Sequence, residues 1–325
     1  MNRNKCERQR KYLDSYIVVD TKDIKKDKWL KYRQSGIGGS DASAVIGVNP
    51  WKSSIQLYME KKADSPKEVK SFRLELGNRL EGLVAELFTE KTGLKVRNVN
   101  GILKNDKYPF ALGNIDRAIL GEKAFLECKT TGSYSLKEWQ EGIPIHYEIQ
   151  CLHYMAITGA THCYIAVLIG NSEFLFHKLV RDEESINYLM QIEKRFWEEN
   201  ILKDIVPLPD GSDAYSEYLK EKYKFSNNEE IELHFLENGK EKLLRYDDIL
   251  SDIKQLEKEK KLIEQEIQAH MEEFEVARIG TRKITWKNSS RKTLDSRRLK
   301  AEMPDIAEQF MKISTSRIFK IGKEK

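Results

Sequence analysis

The sequence predicts an α/β fold: a central mixed sheet with flanking helices, followed by a helical, basic C-terminal extension. Three observations carry this. From Lys95 to Val180 the hydrophobic period moves towards two in several short runs, the pattern of strands. Residues 70–92 and 144–158 repeat apolar side chains at helical spacing. Beyond Pro207-Leu208-Pro209-Asp210-Gly211 the composition turns polar and then heptad-like, so that segment is the expected domain boundary. A chain of 325 residues fits roughly two domains of ~150 residues, and 40% hydrophobic residues suffice for at least one sizeable core.

Taken in order, residues 23–34 read as a short helix, with Ile24, Trp29, Leu30 and Tyr32 set among lysines. A glycine-rich turn, Gly36-Ile37-Gly38-Gly39-Ser40-Asp41, opens into a second helix that ends before Asn49-Pro50-Trp51. Ser53 is the N-cap of a third, running to about Lys62. The helix from Lys70 to Thr92 carries the stripe Leu76, Leu80, Leu83, Val84, Leu87 and Phe88, and Gly93 closes it. Asp116–Leu120 and Ala124–Lys129 read as strands paired around Gly121-Glu122. Pro144 starts a helix to about Thr158, with Ile145, Ile149, Leu152 and Ala156 towards the core. Cys163–Ile169 and Phe174–Val180 form a second hairpin, and a helix follows from about Glu183 to Asn200. In the tail, Ile249, Ile253, Leu256, Lys260, Ile263, Ile267, His270 and Phe274 alternate spacings of four and three, a coiled-coil seam weakened by Lys260 and His270. A long helix over 245–275 is expected, then a strand over Thr281–Lys287 and a basic end.

Composition excludes several classes. The longest apolar run is seven residues, Cys163–Ile169, far short of the ~20 that span a bilayer, and no signal core follows the basic N-terminus. Cys6, Cys128, Cys151 and Cys163 form no C-x-x-C pair, which argues for reduced thiols in the cytoplasm rather than disulfides or a zinc site. Net charge is only +4, but residues 1–34 carry +6 and residues 281–325 carry +8, leaving −10 between them. Basic ends around an acidic centre suit a protein whose termini hold a polyanion and whose centre holds cations.

The sharpest chemical signal is Asp116 with Glu127-Cys128-Lys129. A two-residue turn at Gly121-Glu122 makes cross-strand partners sum to 243, which sets Asp116 opposite Glu127 and puts Lys129 on the same face. Facing carboxylates repel unless a cation lies between them. Mg²⁺ favours such oxygens (Mn²⁺ is the alternative), and the Cys128 carbonyl offers a third. Lys129 then stands where it orients or deprotonates an attacking water while offsetting negative charge, an arrangement for phosphodiester hydrolysis by one or two ions. Glu81, beside Leu80 and Val84 on an apolar-striped helix, is a candidate further acidic ligand. Tyr147, Gln150 and Tyr154 form a stripe suited to lining a strand-binding cleft.

The order helix, Asp…Glu-x-Lys hairpin, then a helix bearing Gln is that of the PD-(D/E)xK nucleases, a restriction-endonuclease-like core. The combination of Arg33-x-x-Gly36-Ile37-Gly38-Gly39-Ser40-Asp41, Leu76-Gly77…Leu80-Glu81, Gly113-Asn114-Ile115-Asp116, Glu127-Cys128-Lys129 and Gln150…Tyr154 resembles the YqaJ-type viral recombinases, the branch that includes the phage lambda-type alkaline exonuclease. The likeness covers about residues 25–200. It implies a 5′→3′ exonuclease that digests one strand of duplex DNA from an end and leaves a 3′ tail for a phage-type single-strand annealing protein. It implies metal ligation by Asp116, Glu127, the Cys128 carbonyl and Glu81, with Lys129 catalytic and Gln150 near the site. Arg33 and Ser40 match positions that hold a 5′-phosphate, in keeping with a glycine-rich helix start and a bidentate guanidinium. Ile115 stands where the motif has proline, and Asn114 where a phosphate-binding serine is expected.

On this reading residues 1–206 form the nuclease domain, 207–244 a linker and polar segment, and 245–325 the long helix and basic end. The tail is expected to pack on its own domain, clamp DNA, or join copies into a homo-oligomer. Two other readings compete: an endonuclease of the same superfamily, separated by its attack on closed circular DNA, and an inert DNA-binding or assembly protein, against which the complete Asp116/Glu127/Lys129 set argues.

Overall fold

A computed structural model describes residues 10–66, 71–227, 229–233, 236–313 and 315–322. Cys6 and Lys70, named above, lie outside them. The chain divides into two units, Met1–Lys222 and Tyr223–Lys325.

The first unit opens with strands β1 (Lys11–Tyr12) and β2 (Ser15–Asp20). Helix α1 (Lys26–Gln34) follows, then β3 (Ile37–Gly38), α2 (Gly39–Val45) and α3 (Ser54–Lys62). The expected N-cap of α3 is present: the Ser53 side chain accepts from Gln56 N–H while Gln56 reaches back to Ser53 N–H. Helix α4 (Phe72–Thr92) ends at Gly93. The strands that follow are β4 (Val96–Asn98), β5 (Gly101–Lys104), β6 (Ala111–Leu112), β7 (Arg117–Ile119) and β8 (Ala124–Thr131). After α5 (Leu136–Glu141) and α6 (Ile145–Thr158) come β9 (His162–Ile169), β10 (Glu173–Val180), α7 (Glu183–Arg195) and α8 (Asp213–Lys222).

The mixed sheet predicted from sequence is β10-β9-β8-β7-β4, with helices on both faces. Its β8–β9 pair is parallel and its other pairs antiparallel. A parallel pair needs a long crossover, which α5 and α6 provide. The 243 register holds: Arg117 pairs with Leu126 and Ala118 with Phe125, closed by a turn in which Gly121 takes φ +85°, a left-handed conformation that favours glycine.

Alternation along β8 decides what each face carries. Ala124 and Leu126 pack with Val84, Ala85 and Phe88 of α4. Phe125 belongs to the larger core with Leu152, Met155 and Ile157 of α6, and Glu127 and Lys129 follow it on that side. The period of α4 is helical as expected, but the buried part of the stripe is only Val84 and Phe88, joined by Ala85; Leu76 and Leu83 are exposed. Gly77 lies opposite Thr130, near the end of β8, so the preceding turns of α4 run past the sheet with nothing to cover them. Ile145 is likewise exposed at the first turn of α6, whereas Gln150–Thr158 is buried throughout.

The expected boundary at Pro207 differs from the division seen. Tyr215 of α8 is buried in the main core and its hydroxyl donates to the Pro207 carbonyl at 2.9 Å, which keeps the chain with the first unit through Lys222. The second unit contains α9 (Gly239–Met271), a hairpin of β11 (Val276–Ile279) and β12 (Arg282–Thr285), and short helices α10 (Ser296–Glu302) and α11 (Pro304–Gln309). The long helix starts earlier than residue 245, and its seam residues Ile249, Ile253, Leu256 and Ile263 are exposed.

Candidate active site

The β7–β8 hairpin brings Asp116 and the Glu127–Lys129 pair together. Asp116 lies one residue before β7, and its Oδ2 accepts from the Cys128 backbone N–H at 2.8 Å. Glu127 is 3% exposed. Its Oε1 accepts from Lys129 Nζ at 2.7 Å and from Gln150 Nε2 at 2.6 Å, and Gln150 Oε1 accepts from Lys129 Nζ at 3.1 Å. Gln150 reaches the strand because α6 crosses the sheet on the face that Glu127 and Lys129 share. The Tyr147 ring of the same helix lies under Lys129 Nζ, 4.9 Å from its centroid.

Electrostatics follow from this crowding. Burial, then the charges of Glu127 and Glu81, push the Asp116 carboxyl well above its ordinary range. Burial also raises Glu127, against the pull of Lys129. Burial alone would lower Lys129, but Glu127 and Asp116 outweigh it and hold the ammonium charged. Among the described residues, Glu127 Oε2 and His146 Nε2 are buried with no hydrogen-bond partner, and for a carboxylate this is costly. A divalent cation would satisfy it. Asp116 and Glu127, with the Cys128 carbonyl, would make an all-oxygen donor set of the kind Mg²⁺ and Mn²⁺ take. The residues present fit such an ion.

Glu81, expected as a further acidic ligand, lines one pocket with Asp116, Asn114 and Arg117. It forms a close ion pair with Arg117, whose Nη1 also donates to the Asp116 carbonyl at 2.8 Å. Arg79, on the same helix, pairs with Glu75 instead. Asn114 is exposed and borders a polar pocket with Asn98, Asn100 and Asp116. Tyr154 faces no open cleft. It is buried, with its hydroxyl 3.3 Å from Gln150 Nε2, and its ring closes over Gly39, where a Cβ would lie 2.5 Å from it. Only glycine lets α2 start that close to α6.

A second charged group surrounds the start of α2. Arg33 Nη2 donates to Ser40 Oγ at 2.8 Å and lies 3.6 Å from Asp41 Oδ1. Asp41 is 2% exposed and is also reached by Lys61 at 2.8 Å and Lys52 at 3.7 Å. Burial opposes its ionisation, yet Lys61, Arg33 and Lys52 together hold its carboxyl far below the usual range. Three cations on one buried carboxylate leave positive charge beside the exposed Ser40. Arg33 and Ser40, paired in the sequence reading, are thus in direct contact.

Known proteins can now be set beside this geometry. A family model described as a YqaJ-like viral recombinase domain matches residues 28–161. The chain is also 37% identical over 310 residues to the uncharacterized protein YqaJ of Bacillus subtilis (strain 168), covering 94% of this chain and 97% of that one. The chain belongs to the YqaJ family. The YqaJ match spans α1 to the turn before β9, and so contains Arg33, Ser40, Glu81, Asp116, Glu127, Lys129 and Gln150. Among solved structures, an alkaline exonuclease from Laribacter hongkongensis is similar at TM-score 0.47 and 17% identity, over 61% of this chain and 98% of that chain. A phage related exonuclease from Haemophilus somnus 129PT is similar at TM-score 0.41 and 14% identity, over 55% and 100%. Among the described residues, no helix is long and apolar enough to cross a membrane.

Sequence reasoning missed Arg117, Lys52, Lys61 and His146. Arg117 directly follows Asp116, but only the fold reveals that it meets Glu81, 36 positions away. Lys52, alone before Ser53, and Lys61, beside Lys62, carry no signal that separates them from solvated lysines. The His146 ring meets Trp51 edge-on at 4.8 Å and Tyr147 at a tilt at 4.1 Å between ring centroids, contacts no linear spacing displays.

Proposed function

We propose that this YqaJ-family chain is a divalent-metal-dependent deoxyribonuclease that digests one strand of duplex DNA 5′→3′ from a phosphorylated end. The observation that carries this reading is the buried, unpartnered Glu127 Oε2 beside Asp116, Lys129 and Gln150 on one face of the sheet. Asp116, Glu127 and the Cys128 carbonyl would hold the ion, Mg²⁺ or Mn²⁺. When bound, it supplies the positive charge that acidifies water and opposes charge growing on the phosphoryl oxygens.

The chain's own groups do the rest. Lys129, held against Glu127 and Gln150, orients or deprotonates the attacking water while offsetting negative charge. Gln150 fixes both Glu127 and Lys129, so neither is free to turn away as charge shifts. Arg33 and Ser40 receive the terminal 5′-phosphate, with Arg33 positioned by Asp41. The product is a 3′ single-stranded tail, the substrate of a phage-type annealing protein, and the reaction belongs to the cytoplasm of a bacterial host. Asn114 borders the strand's path, and residues outside the first unit add contacts to the duplex.

The test uses end-labelled linear duplexes bearing a 5′-phosphate or a 5′-hydroxyl, with and without EDTA, beside a closed circle. Expected are release of nucleotides from the phosphorylated 5′ end, loss with EDTA, and an intact circle. Cutting of the circle would favour an endonuclease. Glu127→Gln and Lys129→Ala should abolish hydrolysis while leaving DNA binding; full activity in both would defeat the assignment. Arg33→Ala should reduce the preference for phosphate over hydroxyl ends, and equal loss on both would reduce Arg33 to a structural role.

A further inference from the structure

Trp51 lies in the turn between α2 and α3, and its indole is 64% exposed. A lone exposed aromatic is ordinary on a protein surface. Trp51 differs because its neighbours fix it from two sides. Asn49 Oδ1 accepts from the Trp51 N–H at 2.8 Å and the Lys52 N–H at 2.9 Å, while Asn49 Nδ2 donates to Ser43 Oγ of α2 at 2.9 Å. From α6, the His146 ring meets the indole edge-on, and the Tyr147 ring lies 6.2 Å away at a tilt. Tyr147 in turn stacks on the buried Trp139 at 5.5 Å, which anchors the array in the core. His146 Nε2 has no hydrogen-bond partner, so ring packing rather than a hydrogen bond at that atom holds the imidazole.

The position of the indole links the two charged groups. Lys52, the next residue, lies 3.7 Å from Asp41, which holds Arg33 beside Ser40. Tyr147 lies 4.9 Å from Lys129 Nζ. Burial, then the charge of Lys129, lowers the His146 pKa and favours its neutral form, so Lys129 is close enough to act on that ring too. On one side of Trp51 are the cations assigned to the terminal 5′-phosphate, and on the other the lysine assigned to the attacking water. A nucleotide with its 5′-phosphate at Arg33 and Ser40 and its next phosphodiester at Lys129 carries its base between them. An exposed indole there offers a flat face to any of the four bases, since every base has one. A ring fixed beforehand also loses little freedom when the base arrives.

We propose that Trp51, braced by His146, is the platform on which the base of the 5′-terminal nucleotide stacks, so that one nucleotide spans the distance from phosphate cradle to hydrolytic centre. This rests on the nuclease reading above. Trp51 binds substrate and takes no part in proton transfer; His146 is a positioning residue that acts through it.

The experiment compares two 5′-phosphorylated duplexes whose terminal 5′ nucleotide is unpaired and either carries adenine or is abasic (a tetrahydrofuran analogue). Binding to the full chain is measured by fluorescence anisotropy in EDTA, and release of the first nucleotide by single-turnover kinetics with Mg²⁺. Loss of one stacked base weakens binding roughly 5- to 150-fold, so wild type should favour the adenine end by at least about fivefold. Trp51→Ala should weaken the adenine end by a similar factor and leave less than about a twofold difference between the two ends. Trp51→Phe, which keeps a ring, should restore most of the preference. Equal binding of both ends by wild type, or a Trp51→Ala loss that is the same on both ends, would overturn the proposal while leaving the nuclease reading intact. Should Trp51→Ala fail to fold by circular dichroism, the wild-type and Trp51→Phe comparisons decide. No release from either end by wild type would remove the nuclease reading, and the anisotropy comparison would still judge the platform.

Discussion

Gly39→Ala tests whether the start of α2 locks α6, the helix that carries Gln150 and Tyr154. In an ordinary helix this change stabilises by roughly 0.5–1 kcal/mol, because glycine loses more backbone freedom on folding. Here the new Cβ would meet the Tyr154 ring at 2.5 Å and its hydroxyl at 2.9 Å. Carbon atoms prefer ~3.5–4.0 Å, so the ring or α2 must retreat by roughly 1 Å. Tyr154 has little room to do so: it is 5% exposed and packs edge-on against Phe125. Overpacking of this kind costs about 1–3 kcal/mol, which for a unit of this size lowers Tm by roughly 2–12 °C. The displacement also reaches chemistry, since the Tyr154 hydroxyl touches Gln150, which holds Glu127 and Lys129. A misplacement near 1 Å lowers a rate by about 10²-fold. Differential scanning calorimetry and nucleotide release from a labelled duplex end measure the two effects. Gly82→Ala is the control, since nothing lies within 4 Å of its Cβ; it should gain the usual roughly 0.5–1 kcal/mol. If Gly39→Ala instead gains stability as Gly82→Ala does and keeps full activity, the close packing of α2 on α6 does not hold the site.

Other expectations follow from the buried charges and the tail. His153 and Glu193 are both fully buried, with His153 Nδ1 at 2.9 Å from the carboxylate and Nε2 at 3.1 Å from the Leu112 carbonyl; Glu193→Ala should cost about 3–5 kcal/mol in urea unfolding. Burial lowers the His153 pKa but Glu193 more than reverses this, so the net shift is upward. Its stabilisation is therefore complete below the ordinary histidine value of ~6.5 and is lost as pH rises through the raised one; a wild-type stability that grew across that range on this account would contradict the pairing. Asp41→Asn should also cost about 3–5 kcal/mol by leaving Lys61 buried without its counter-charge, and a Tm within 1–2 °C of wild type would show that ~1 kcal/mol or less rides on it. Because the Asp41 pKa is lowered, that contribution is present above the ordinary value of 3.8 and fades as acid titrates the folded carboxyl. Deleting residues 240–325 should flatten the fall of duplex affinity with salt, measured by fluorescence anisotropy; an unchanged slope would remove the basic end from DNA contact.

Much of the site was legible in the sequence because it depends on local rules. Side-chain alternation and a two-residue turn at Gly121-Glu122 sufficed to set the 243 register and to bring Asp116 to Glu127-Cys128-Lys129. Ser53, Gly93 and the 3.6-residue period likewise marked helices that formed as expected. What could not be read was which face of a pattern would find a partner. The stripe of α4 is regular, yet of it only Val84 and Phe88 are buried against the sheet, and Tyr154 shares a helical face with Gln150 but ends up buried under Gly39. The boundary expected at Pro207 fell instead after α8, because Tyr215 is buried in the core with Ala214 and Tyr218 packed beside it.

By itself, then, the sequence determined the hairpin of the candidate site, the helices around it and the chain's place among YqaJ proteins, since these rest on contacts between near neighbours and on motif order. Tertiary structure alone decided the charge environment. Arg117 on Glu81, three cations on Asp41 and His153 on Glu193 join residues from separate elements. Electrostatic energy depends on distance and burial in space, and neither is written in spacing along the chain.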